Sequence, residues 1–168
     1  MKTNIGISAA NLEIINNKLS TLLANEHVLY IKTRNFHWNV TGPNFSSLHL
    51  LFEGQYTANA LNIDLIAERI RTLGYPAVGT MKEFLTIATI KEAEGKHKAT
   101  EMVQQLLADH ESIASSIRDS IETLAACATS SSLMLLGRCG CICIAIRCGR
   151  RSKRLGHFIF GPKDQTGR

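Results

Sequence analysis

The sequence predicts an all-α protein. Only three of its 168 residues are proline and 6% are aromatic, while 45% are apolar, a balance that favours helices over a sandwich or barrel. Apolar residues recur at intervals of three and four through three long segments, the period of a helix with one buried face. A chain of this length can bury one helical core without disulfides or a structural metal.

The first helix is expected over Asn11 to Phe36, where Leu12, Ile15, Leu19, Leu22, Leu23 and Leu29 share a face. Gly42-Pro43 ends it, because proline removes a backbone donor and restricts the residue before it. Asn44 can then cap a second helix from Phe45 to Gly74, with Leu48, Leu51, Phe52, Leu61, Ile66, Ile70 and Leu73 at helical spacing and Pro76 just beyond. About thirty residues make it roughly 45 Å long. Thr80-Met81-Lys82-Glu83 has the form of a capping box, so a short helix crosses between the second long helix and the third. That third helix is expected over Lys91 to Ala125, with Met102, Val103, Leu106, Leu107, His110, Ile113, Ile117 and Leu124 as its stripe. A fourth, over Leu133 to Arg147, has no clean amphipathic pattern and contains Gly137 and Gly140.

Composition changes abruptly near Cys127. Residues 1–126 hold 11 Lys and Arg against 13 Asp and Glu, a net −2, whereas residues 127–168 hold 8 against 1, a net +7. All five cysteines, Cys127, Cys139, Cys141, Cys143 and Cys148, also fall in the second part. The chain therefore divides into a helical domain over 1–126 and a basic, cysteine-rich tail over 127–168. The C-x-C-x-C spacing is not the paired knuckle of a zinc site, and reduced thiols are expected. Arg147, Arg150, Arg151, Lys153 and Arg154 form a cluster able to contact DNA phosphates, against which stands the plainer reading of a solvated tail. With no long apolar run and no secretory signal pattern, a cytoplasmic protein without a membrane partner is expected, and the sequon at Asn39 carries no weight.

On the second helix, His49 and Glu53 lie one turn apart, as do Asp64 and Glu68, and all four fall within an arc of about 100°. The two pairs are about 16 Å apart along the axis, too far for one ion within one chain. Two copies of this helix packed antiparallel about a two-fold axis would bring the His end of one to the carboxylate end of the other. His37 could reach His49 across the Gly42-Pro43 turn. Imidazole with carboxylate suits ferrous iron, zinc or manganese, of which iron is the redox-active choice. The plain alternative is a chance His–acid pair on a solvated helix face. His27, His97 and His110 read as surface or core histidines; Tyr30, Tyr56 and Phe52 read as core; Trp38 is divided between core and site.

The run KTRNFHWNVTGPNFSSLHLLFE, followed by Asp64-Leu65-Ile66-Ala67-Glu68-Arg69-Ile70-Arg71-Thr72-Leu73-Gly74-Tyr75-Pro76, closely resembles the signature of Dps proteins, the DNA-protection-during-starvation branch of the ferritin-like superfamily. The resemblance covers about residues 10–125. It implies a ferritin-like four-helix bundle with a short crossover helix, assembled into a homo-oligomeric shell of twelve subunits. It also implies a ferroxidase centre at each two-fold interface, where His37 and His49 of one subunit and Asp64 and Glu68 of its partner hold iron, two ions per site. Glu53 takes the place of a further acidic ligand or neighbouring carboxylate, and Trp38 that of an electron-transfer and radical-quenching residue. Ferrous iron would be oxidised, preferentially by hydrogen peroxide, and stored as ferric iron, protecting DNA in a bacterial cytoplasm and, if DNA is bound, in the nucleoid.

The chain departs from that pattern at Gly54 inside the long helix, at Asn59 and Asn62 where acidic residues are expected, and at Leu65. After Cys127 nothing resembles the family's closing H-E-K-x-A-W-M-L-R helix, which points to a divergent or frame-shifted replacement. Two rival readings follow, a protein that condenses DNA through its basic tail and a cage that has lost activity.

Overall fold

A computed structural model describes residues 6–126, with side chains through Thr123. Among the described residues there are four helices and no strand: α1 Ala9–Asn39, α2 Phe45–Thr72, α3 Met81–Ile87 and α4 Ala99–Ala126. This is the all-helical architecture the periodicity predicts. The expected fourth long helix, the five cysteines and the basic cluster from Arg147 to Arg154 lie outside the described residues.

Each boundary has a local cause. The Ser8 hydroxyl accepts from the Asn11 N–H at 3.2 Å and starts α1, satisfying one of the donors that a helix N-terminus leaves open. Extended backbone at Val40 stops it, and Gly42 turns the chain at φ 109°, a conformation glycine adopts without a Cβ clash. Asn44 precedes α2 at the cap position, but its φ of −98° and ψ of 17° differ from the extended cap conformation and its side chain makes no capping bond. At the far end, Gly74 at φ 91° donates to Arg71 O at 3.0 Å and Tyr75 donates to Ile70 O at 3.3 Å, the paired closure that a left-handed residue permits. Thr80 and Glu83 form the expected capping box, each side chain taking the other's backbone N–H.

α4 begins at Ala99, eight residues later than the charge-rich segment from Lys91 suggests. Two anchors hold that segment out of the helix. The Asn25 carboxamide oxygen accepts from the backbone N–H groups of Thr89 at 2.8 Å and Ile90 at 3.4 Å, and Gly95 sits at φ 82°. The Lys98 N–H then donates to the Glu101 carboxylate at 2.9 Å.

α1 is the central element, packed against α2, α3 and α4. Its inner face joins Phe52, Ile66 and Ile70 of α2, Phe84 of α3, and Met102, Leu106, Ile113 and Ile117 of α4 in one core. Val103 and Leu107 are only half-buried. On α2, Leu51 and Leu61 share the helical spacing but stay on the outside. Asn59 and Asn62, where acidic residues are expected, are buried within the bundle.

Several charged or titratable groups lie in or against this core. Lys32 Nζ donates to Asp109 Oδ2 at 2.6 Å and ties α1 to α4. Burial raises the Asp109 carboxyl while Lys32 lowers it. Removing one partner leaves the other charge desolvated, whereas removing both does not. Lys32→Met should therefore cost about 3–5 kcal/mol in urea unfolding, and Lys32→Met with Asp109→Leu should lie closer to wild type than the single variant.

Burial also pushes the Glu26 carboxyl up to about 7 and the His110 imidazole down to about 4. Glu26 contributes stability that is kept below its ordinary 4.5 and lost as pH rises to about 7, because the folded chain then holds a proton the unfolded chain has released. His110 contributes stability that is kept above its ordinary 6.5 and lost as pH falls toward about 4. The two slopes oppose each other wherever both act. Glu26→Gln should unmask the His110 slope, so that the variant's stability relative to wild type rises between about pH 4.5 and 7 by up to about 1.4 kcal/mol per pH unit. Urea midpoints across that range check it, and a flat difference would show that Glu26 titrates normally.

Candidate metal centre

The turn between α1 and α2 brings His37 onto His49. The His37 Nδ1–H donates to the His49 carbonyl at 2.9 Å, and the His49 Nδ1–H donates to the His37 carbonyl at 2.9 Å. A carbonyl oxygen can only accept, so the bonds place each ring's proton on Nδ1 and leave the Nε2 lone pair of the neutral ring open. The rings stack at 3.7 Å between centroids and 23° between planes. Phe45 stacks on the outer side of the pair, 5.0 Å from His49, and Tyr56 meets His37 edge-on at 5.2 Å. His37 is buried and His49 half-buried. Two oriented imidazole nitrogens beside each other are a ligand pair for a borderline metal ion.

An aromatic cluster adjoins this pair. The Arg34 guanidinium lies 4.9 Å from the Trp38 ring centroid, 5.4 Å from that of Tyr56 and 5.5 Å from that of Tyr30, and donates to the Tyr30 hydroxyl at 2.8 Å. Trp38 is 64% exposed, which removes it from the core. It is held against a cation rather than among apolar side chains, a contact strongest over the indole face.

Glu53 lies one turn from His49, but Asp64 and Glu68 lie elsewhere. Glu53, Asp64 and Glu68 are exposed along α2, and the helical rise sets Asp64 about 22 Å from His49. Among the described residues, no three His, Cys, Asp or Glu side chains gather where they could hold an ion. The structure thus joins His37 of α1 to His49 of α2 and keeps both apart from Asp64 and Glu68, leaving two candidate half-sites, one at the α1–α2 turn and one along α2.

The other histidines among the described residues have structural surroundings. His27 stacks on Phe84 at 3.8 Å, His97 meets Phe36 edge-on at 5.7 Å, and His110 is buried on α4. Sequence reasoning missed Arg34 and the reciprocal backbone bonds of the two histidines. The spacing Tyr30-Arg34-Trp38, one residue per turn, was the available signal for the cluster.

Residues 16–127 match the family model of the ferritin-like domain, which sets the class. The chain is 44% identical over 109 residues to the DNA protection during starvation protein of Brevibacillus brevis, covering 65% of this chain and 69% of that one. It is 43% identical over 122 residues to an uncharacterized low temperature-induced protein of Nostoc, covering 72% and 68%. The fold matches the crystal structure of a Dps protein from Vibrio cholerae O1, itself a member of a broad superfamily of ferritin-like diiron-carboxylate proteins, with a TM-score of 0.81, 29% identity and coverage of 90% of this chain and 98% of that one. Dps from Staphylococcus aureus matches with a TM-score of 0.77 at 33% identity, over 81% and 92%. The chain belongs to the Dps family of ferritin-like proteins. None of its described helices is long and apolar enough to cross a membrane.

Proposed function

We propose that this chain oxidises ferrous iron at an interface between two copies of itself and stores the ferric product within a homo-oligomeric shell of twelve subunits, protecting DNA in the bacterial cytoplasm. The observation that carries the reading is the pair of Nε2 lone pairs presented by His37 and His49 near one end of α2, while Asp64 and Glu68 stand exposed toward the other end. Membership in a ferritin-like family supports iron storage as the function.

In this reading His37 and His49 of one subunit, with Asp64 and Glu68 of another, bind two ferrous ions, and Glu53 adds negative charge nearby. Carboxylates favour ferric over ferrous iron, and their field concentrates the cation. Hydrogen peroxide is the preferred oxidant: two Fe(II) give up one electron each, the O–O bond breaks, and two protons complete two waters. Both ingredients of hydroxyl-radical formation are consumed together. Trp38 and Arg34 lie beside the histidines, where an indole can donate an electron to a stray one-electron oxidant.

The net charge of +7 on residues 127–168 supports a second activity, phosphate contact with DNA through Arg147, Arg150, Arg151, Lys153 and Arg154. The presence of all four principal candidate ligands weighs against an inactive cage.

Complementation between subunits tests the interface. His49→Ala and Asp64→Ala should each abolish peroxide-driven ferrous oxidation. Unfolded, mixed and refolded together, they should recover about a quarter of the wild-type rate, because half the pairs are mixed and each mixed pair keeps one of two sites intact. Full activity in either single variant would sink the assignment, and no recovery on mixing would place the site within one chain. Trp38 is the chain's one tryptophan, so cobalt(II) binding should quench its emission in wild type and leave it unchanged in His49→Ala.

A further inference from the structure

The outer face of α2 carries a feature the bundle does not use. Leu50 and Leu61 are 66% and 67% exposed and Leu65 is 40% exposed, and together with Gly54 they fall within an arc of about 60° beside the face of His49, Glu53, Asp64 and Glu68. Gly54 lies in mid-helix, where glycine costs about 1 kcal/mol relative to alanine. A Cβ built on it meets nothing within 4 Å, so nothing in the folded chain requires glycine there.

A two-fold axis perpendicular to α2 and passing between Thr57 and Ala58 accounts for the whole row. It sets Leu50 of one copy opposite Leu65 of the other, and Gly54 opposite Leu61. The same axis sets His49 level with a point midway between Asp64 and Glu68 of the second copy. The half-site flanks of both helices then lie on the same side of the pair, as a two-fold across antiparallel helices demands. One axis thus satisfies an apolar row and two half-sites whose imidazole and carboxylate donors complete each other, two patterns that need not agree.

We infer that Gly54 and Leu61 are positioning residues: the Leu61 side chain of one copy fills the notch above Gly54 of the other, twice across the axis, and this fixes the register in which His49 meets the second copy's carboxylates. The occupant of the face is a second copy of this chain. The notch allows close helix approach, and the leucine that fills it prevents slippage by a turn, which would carry His49 past its carboxylates by about 5 Å. This inference rests on the interface site proposed above.

The test uses the full-length chain with Gly54→Leu, Leu61→Ala and the two combined. Gly54→Leu places two leucines in one position and should weaken assembly at least about tenfold by sedimentation. It should also remove cobalt(II) binding, while monomer helicity is kept or raised because leucine favours helix over glycine. Leu61→Ala alone should weaken assembly less. The double variant exchanges knob and notch, so it should regain both assembly and cobalt(II) binding relative to Gly54→Leu. Unchanged assembly in Gly54→Leu, a double variant no better than Gly54→Leu, or a wild-type chain that never associates would each overturn the inference. Rescue of assembly in a protein that binds no cobalt(II) even as wild type would uphold the Gly54–Leu61 register and overturn the iron site instead.

Discussion

A straight α-helix fixes distances that side chains cannot bridge, and this constraint governs the molecule. With a rise of about 1.5 Å per residue, fifteen residues hold His49 and Asp64 about 22 Å apart however the bundle packs. The histidines are anchored by the α1–α2 turn and the carboxylates nearer the far end of α2, so a single copy keeps the two sets of candidate ligands apart. The helix that prevents closure within one chain is also straight, regular and apolar on an adjoining arc, as an antiparallel self-association requires.

The two candidate imidazole ligands are held in fixed orientation by the fold itself. The His37 and His49 rings are tied to each other's carbonyl groups, which also joins the end of α1 to the first turns of α2. Phe45 and Tyr56 limit ring rotation on either side. Ligands held this way lose little freedom on binding, and the lone pairs already point away from their backbone partners. Arg34, spread over three aromatic rings, brings a fixed positive charge close to the imidazoles, so the carboxylates have to come from another source if the site is to attract cations.

Much of this was legible in the sequence wherever the signal was local. The Thr80–Glu83 box, the end of α2 at Gly74 and the meeting of His37 with His49 each depend on a few neighbouring residues, and each was read correctly. Signals that depend on distant partners were not. Lys32 is buried because Asp109, on another helix, meets it; the late start of α4 depends on Asn25, far back on α1. Asn59 and Asn62 are buried, which the sequence does not reveal because a polar side chain in a helix does not say whether it faces water or a packed interior. Leu61 fits the inner periodicity and the outer row alike, and only its exposure decides between them.

The distribution of polar groups separates folding from assembly. Glu26, Lys32, Asp109 and His110 lie on α1 and α4, where they meet the interior of the bundle. The apolar row and the carboxylates lie on the outward face of α2, which α1 does not cover. A change to the first group alters the stability of the chain whether or not it associates. A change to the second alters what the chain can associate with, at little cost to its own fold, and Gly54 is the extreme case because alanine or leucine there would make the isolated helix more stable. The chain gives up local helix stability at a position where the proposed pairing would make use of the space.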